Sequence, residues 1–357
     1  MPDGYGLSVI VPTHDGRERL TERLIDTYLD HQATAGLPTE LIVVDSSSGV
    51  RGEALARYCS RDEVRYLRGP GPAGAKRNVG SGAAAYDALV FLDSDCMLTD
   101  QTLTEHRKIF DLADTVGAVT GPTDLYGPVD RLWKVLEHSG LYSQCFDHAR
   151  AYEQVLWGVT ANICVRREAI NKIGGFDEKI VTPVGGEDVD FGVRLTEAGY
   201  TIRTNDQALA LHAREHVTVK HVVRSLFTYG RADAYLCQVH PHRADNYLGP
   251  LAGGLLAAVG MRLLGLRLRT ALAAAAATAL AVSWRRQTAD PYASAEGTVA
   301  PARPGGLAEV FSRAAAALID MSFDAGKASQ ALRSGQLELA LKNFRYIDSE
   351  SFWPRKR

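Results

Sequence analysis

The chain has 357 residues, 46% of them hydrophobic, with a formal net charge of -2. That length supports one large domain with an appendage, or two domains. The near-neutral balance gives no overall basic field for a nucleic-acid partner, and local runs such as Arg166-Arg167 and Arg355-Lys356-Arg357 read as solvated surface.

The N-terminus, Met1 to Leu7, has no basic run followed by an apolar stretch, so no signal peptide is expected. Leu7 to Pro12 reads as a buried strand, and Arg17 to Ala33 as a helix with Leu20, Leu24 and Tyr28 on one stripe. Leu41 to Asp45 and Val64 to Leu67 follow as strands. A Gly/Pro loop, Gly69 to Gly74, then leads into a helix over Ala75 to Ala85, and Ala88 to Leu92 is a fourth strand. This βαβα order predicts an α/β fold, a mainly parallel sheet flanked by helices. The five cysteines, Cys59, Cys96, Cys145, Cys164 and Cys237, form no CxxC pair and are odd in number. They read as reduced thiols of a cytoplasmic protein rather than a metal cluster or disulfide framework.

Beyond residue 115 the pattern is less regular. Ala161 to Val165 has strand character, Gly174-Gly175-Phe176-Asp177 is a turn signal, and Asp188 to Ala198 is helical. Val217 to Leu236 predicts a helix buried through Val219, Val222, Val223, Leu226 and Phe227. The last third changes character. Tyr247 to Met261 and Thr270 to Trp284 carry no charge, and Arg262, Arg267 and Arg269 separate them. Each is shorter than the roughly 18 to 20 residues a span requires, so packed or interfacial helices, the latter in peripheral membrane contact, are expected, with membrane insertion the alternative. Thr288 to Gly306 reads as a linker and Leu307 to Ile347 as an amphipathic helical stretch.

In such sheets ligands sit outside the carboxyl ends of the strands. Those ends carry Thr13-His14-Asp15, Asp45-Ser-Ser-Ser48 and Asp93-Ser94-Asp95. Two carboxylates two residues apart offer hard oxygen ligands to a divalent ion, which would neutralise a departing diphosphate; an exposed acidic turn is the plain alternative. In Gly185-Gly186-Glu187-Asp188-Val189-Asp190 the carboxylates open a helix, either as a general base or as ordinary capping that complements the helix dipole. A dipole of that sense would lower a carboxylate's pKa. Gly74 to Gly80, with Lys76 and Arg77, suits an anion at a helix start or is a plain glycine loop. His212, after Ala208 to Leu211, is a metal ligand or a structural histidine. No GxGxxG follows the first strand, which argues against a dinucleotide-dependent oxidoreductase.

Taken in order, Ser8 to Thr13, Leu41 to Asp45, Ala75-Lys-Arg-Asn78, Phe91 to Asp95, Gly174 to Asp177, and Gly186 to Asp190 with Arg194-Leu195 resemble the family 2 glycosyltransferases. The resemblance covers about residues 6 to 235. It implies a GT-A type, Rossmann-like fold with a mostly helical C-terminal extension, a nucleotide-diphosphate sugar donor (a UDP-sugar by default), and Mn2+ or Mg2+. By resemblance, Pro12 and Thr13 line the nucleotide pocket, and Asp45 contacts the base. Arg77 sits near the base and diphosphate, Asn78 supports the loop, and Asp93 holds the ribose or a metal-bound water. Asp95 and His212 ligate the metal, and Asp188 is the base, with Glu187 the alternative. The implied division is a catalytic domain over 1–236, with a nucleotide-sugar part to about 115 and an acceptor part from 116. An Ala/Leu-rich helical segment over 237–287, a linker over 288–306 and a helical segment over 307–357 would follow. Asp45-Ser-Ser-Ser48 departs from the Asp-Asp-Gly-Ser type tip of many relatives. No Gln-x-x-Arg-Trp type sequence is present, so a single, inverting transfer is expected rather than polymerisation. A sugar-phosphate nucleotidyltransferase and a catalytically silent partner protein are the rival readings; the acceptor is not legible.

Overall fold

The computed structural model describes residues 4–60, 64–139, 144–180, 185–214, 217–288, 307–348 and 351–354. The chain opens with β1 (Leu7–Thr13), α1 (Glu18–His31), β2 (Thr39–Asp45), α2 (Gly49–Tyr58), β3 (Val64–Arg68), α3 (Ala73–Ala83) and β4 (Ala88–Leu92). There follow β5 (Cys96–Leu98), α4 (Thr102–His106), β6 (Val116–Thr120), β7 (Thr123–Tyr126), α5 (Arg131–Leu136), α6 (His148–Ala151), β8 (Tyr152–Val155) and β9 (Asn162–Arg166). Next come α7 (Arg167–Ile173), α8 (Glu187–Glu197), β10 (Thr201–Thr204), β11 (Ala210–Ala213) and α9 (Val219–Val239). The last part holds β12 (Ala244–Asn246), α10 (Pro250–Leu263), α11 (Leu268–Thr288), α12 (Leu307–Ser334), β13 (Lys342–Phe344) and β14 (Trp353–Pro354).

The main sheet has nine strands in the order β14-β8-β10-β6-β9-β4-β1-β2-β3. Seven run one way; β8 and β9 run against them. All seven residues of β1 and all five of β4 are buried, as strands covered on both faces require. A second sheet, β5-β11-β7, crosses the carboxyl edge and sets His212 opposite Cys96.

Two expectations are corrected here. The buried line of α9 runs through Val222, Leu226, Gly230 and Asp233, while Val219 and Val223 are exposed. That face turns to α12, and the two helices cross so closely that a Cβ on Gly230 would overlap the Phe323 carbonyl and one on Gly326 the Phe227 carbonyl. The C-terminal extension is mostly helical, as expected, but the segment over 307–357 also holds two short strands. β13 pairs with β12, and β14 joins the main sheet beside β8, carrying the neighbouring Phe352 into the core against Tyr152. The expected linker falls on 289–306, outside the described residues, apart from Thr288, which ends α11. Arg355-Lys356-Arg357 and residues 181–184 also lie outside them. Among the described residues, no helix is long and apolar enough to cross a membrane.

Candidate active site

The carboxyl ends of β1, β2 and β4 meet α3 and α8 along one edge. Pro12 and Thr13 are buried there, and the exposed tip is His14 to Gly16. Lys76, also buried, donates to the Thr13 carbonyl at 2.7 Å and to Ser46 Oγ at 3.0 Å, stapling the ends of β1 and β2. Burial brings its pKa down to about 8, with Arg77 acting the same way and Asp45 opposing. Lys76 is therefore committed to the scaffold, not offered to an anion. Asp45 has no exposed surface. Its carboxylate accepts from the Ser47 N–H at 2.7 Å and from the Tyr66 hydroxyl at 2.8 Å. The structure makes Asp45 an organiser of the Ser46–Ser48 tip and leaves its own oxygens away from the surface.

Arg77 joins the two acidic motifs. Its guanidinium is buried and donates to Asp93 Oδ1 at 2.8 Å and to Glu187 Oε1 at 2.9 Å. Burial works against its charge, but Asp93 and Glu187 outweigh it and hold the pKa above the ordinary value. The Phe176 ring lies 5.5 Å from the guanidinium carbon and stacks on Phe191 at 4.4 Å. Asn78 fixes that ring: its amide accepts from the Phe176 N–H at 2.8 Å and donates to the Phe176 carbonyl at 2.9 Å. Phe176 thus completes the site, although the sequence marked it only as part of a turn.

Helix α8 starts at Gly186, whose φ of 99° suits glycine, and presents Glu187 and Asp188 in its first turn. Glu187 is held by Arg77. Asp188 is half-buried and accepts from the Val189 N–H at 2.9 Å. Its pKa is raised, to about 7, by burial first and then by the Glu187 charge, with Arg77 and the Val189 N–H opposing. The lowering expected from the helix start is overturned, because desolvation and a like charge outweigh one turn's dipole. Asp190 points the other way. Burial would raise it, but His240 at 2.9 Å and Arg194 at 2.8 Å hold it low and anchor the helix.

Asp95, Cys96 and His212 bring ligand atoms within 4.8 Å of one another. Arg17 pairs with Asp95 Oδ2, and His212 Nε2 lies 3.3 Å from Oδ1. His212 Nδ1 faces the Ala213 carbonyl at 3.1 Å, so that nitrogen donates and Nε2 faces the carboxylate. An imidazole nitrogen beside a carboxylate oxygen is a donor set that fits Mn2+. The Cys96 thiol instead contacts the Ala161 carbonyl at 3.4 Å, and burial pushes its pKa up. Sequence reading missed Arg17 and Cys96. The signal available for Arg17 was a cation directly after the exposed tip of β1.

Among described residues, the C-terminal elements brace this edge. Lys327 of α12 and Asp233 of α9 form a fully buried ion pair at 2.9 Å, and Phe344 N–H donates to the same carboxylate at 3.3 Å. The neighbouring Tyr346 hydroxyl has its pKa pushed up by burial and by Asp233, and Asp188 is near enough to add to it.

Residues 8–174 match the family described as Glycosyl transferase family 2. A pre-mycofactocin glycosyltransferase of Mycobacterium tuberculosis is 29% identical over 265 residues, covering 72% of this chain and 52% of that protein. A validoxylamine A glucosyltransferase of Streptomyces hygroscopicus subsp. limoneus is 26% identical over 250 residues, covering 62% and 54%. The chain spans about half the length of these curated relatives. Among solved structures, a mannosyltransferase from Pyrobaculum calidifontis, in complex with GDP-Man and Mn2+, superposes with a TM-score of 0.50 at 21% identity, covering 88% of this chain and 85% of that one. At that identity the likeness speaks for the fold, an α/β fold of GT-A type.

Proposed function

We propose that this chain, which belongs to glycosyltransferase family 2, moves one sugar from a nucleotide-diphosphate sugar to an acceptor hydroxyl by direct, inverting displacement. The observation that carries the reading is the Arg77 bridge. One buried guanidinium holds both Asp93 on the donor edge and Glu187 beside Asp188, so donor and acceptor groups share one rigid frame.

In this reading Pro12 and Thr13 shape the nucleotide pocket from beneath, and Asp45 acts through Ser47 rather than touching the base. Arg77 fixes Asp93, which faces the ribose or diphosphate, and Asn78 supports the loop through Phe176. Asp95 and His212 hold a divalent cation, Mn2+ more readily than Mg2+ given the imidazole. Bound there, the cation supplies charge neutralisation for the diphosphate. Asp188 takes the proton from the acceptor hydroxyl, and the oxygen attacks the anomeric carbon as its bond to the diphosphate breaks. Glu187, already paired with Arg77, is the poorer base. A pKa near 7 suits a base working near neutrality.

The test is the thermal shift of the purified protein with a panel of nucleotide diphosphates, each with and without Mn2+. The expected result is a manganese-dependent rise with one nucleotide, UDP by default, with GDP the first alternative. No shift with any nucleotide overturns the donor pocket. A shift with nucleoside triphosphates alone would point to a nucleotidyltransferase instead.

A further inference from the structure

The helical hairpin α10–α11 meets the rest of the molecule mainly through α12. Neither hydrophobic core cluster draws a described residue from it. Its two helices pack on each other through small groups: a Cβ on Gly254 would crowd the Ala275 carbonyl and Ala279, and Ala271 and Ala279 are buried. On α11, Ser283 donates to the Ala317 carbonyl of α12 at 2.8 Å. The large side chains face out instead. Leu251, Leu255, Val259 and Leu263 repeat every fourth residue, which makes one stripe along α10, and all four are exposed. The stripe ends in the tip Arg262-Leu-Leu-Gly-Leu-Arg-Leu-Arg269, every residue of which is exposed. Leu263 is 84% and Leu264 76% exposed.

Charge selects the occupant. Between Asp245 and Asp290 the sequence holds five arginines, Arg262, Arg267, Arg269, Arg285 and Arg286, and no acidic residue, although the whole chain carries -2. A two-fold pairing of hairpins would set these like charges against each other. An anionic bilayer surface meets both halves of the pattern: arginines reach the headgroups while leucines enter the acyl boundary, without crossing it. A surface this apolar is uncommon on a soluble monomer.

We propose that the α10–α11 hairpin is a peripheral docking element for an anionic lipid surface, entering it through the leucines and arginines of residues 262–269. The proposal is independent of the catalytic reading.

The experiment is flotation of the full chain with vesicles of phosphatidylcholine alone and with vesicles that also contain phosphatidylglycerol. The protein is expected to float with the anionic vesicles, less so as salt is raised, and to stay behind with neutral ones. R267E/R269E should weaken partitioning by at least about tenfold, and L263S/L264S/L268S should abolish it. Unchanged circular dichroism and an unchanged nucleotide-induced thermal shift would show that these variants keep their fold and site. Failure to float with anionic vesicles, or equal flotation by the variants, overturns the proposal. Sedimentation showing a concentration-dependent dimer that L263S/L264S/L268S dissolves, with no vesicle binding, would assign the face to a second copy. An absent nucleotide shift in the parent chain, with its flotation on anionic vesicles intact, would count against the catalytic reading alone.

Discussion

The β1–β4 half of the sheet and the α10–α11 hairpin are both rich in apolar residues, and they dispose of them in opposite ways. In β1 and β4 every side chain is buried, and the polar residues begin just past the strand ends, where the site forms. In the hairpin, Gly253, Gly254, Ala271 and Ala279 are buried while Leu251, Leu255, Leu263 and Leu272 are exposed. A strand in the middle of a covered sheet finds partners for both of its faces within the chain. A hairpin whose contact face is made of small residues leaves large ones exposed among the described residues. In the proposed function the first region carries chemistry on a fixed scaffold, and the second is proposed to make contact with something else.

That contrast can be broken or sharpened by experiment. The largest effect is expected from Asp188→Asn, which should retain the manganese-dependent nucleotide shift and lower kcat by roughly a hundred- to ten-thousandfold. Retained turnover would transfer the base to Glu187. Asp95→Ala should weaken nucleotide binding in Mn2+ by about tenfold to a hundredfold or more and remove its metal dependence, as titration of the nucleotide with and without the ion would reveal. Undiminished metal dependence would move the cation elsewhere.

Gly230→Ala tests whether α12 belongs to the scaffold. Its Cβ would strike the Phe323 carbonyl, so a loss of about 1–3 kcal/mol is expected in chemical denaturation. No loss would mean that the two helices separate freely.

The pH profile supplies a subtler test. A protonated Asp188 cannot accept the acceptor's proton, so kcat/KM should rise with pH and level off above about 7. Glu187→Gln removes a neighbouring negative charge and should move that limb to lower pH. The linkage runs the opposite way for stability. The folded-state pKa lies above the unfolded value near 3.8, so native protein binds the extra proton in the window between them, and Asp188 costs stability as pH rises through it. Asp188→Asn should therefore gain relative stability at pH 8 compared with pH 5. The smallest effect is expected from L263S/L264S/L268S, whose unfolding free energy in the absence of lipid should match the parent to within about 0.5 kcal/mol. A larger loss would mean that the tip has a partner within the chain.

The first four strands and the site's acidic pieces were legible from local pattern alone. Apolar runs ending in Thr13, Asp45 and Asp93-Ser94-Asp95 carry their own signal, because a covered parallel strand must be apolar and its carboxyl end is where polar groups can emerge. The hairpin's arginines and charge-free flanks were equally visible. What one residue does to another across the chain was not. The Arg77 bridge spans 110 residues to Glu187, His212 reaches Asp95 only because β11 pairs with β5, and Phe352 enters the core only because β14 joins the sheet edge. The raised pKa of Asp188 belongs to the same class. Local sequence speaks for a helix start, which favours the charged form, whereas burial and the Glu187 charge are supplied by packing. The sequence thus determined which elements form and where acidity gathers, through propensity and periodicity. Tertiary structure alone decided which charges meet and how far water is excluded from them, because Coulomb energy and desolvation depend on distance in space rather than along the chain.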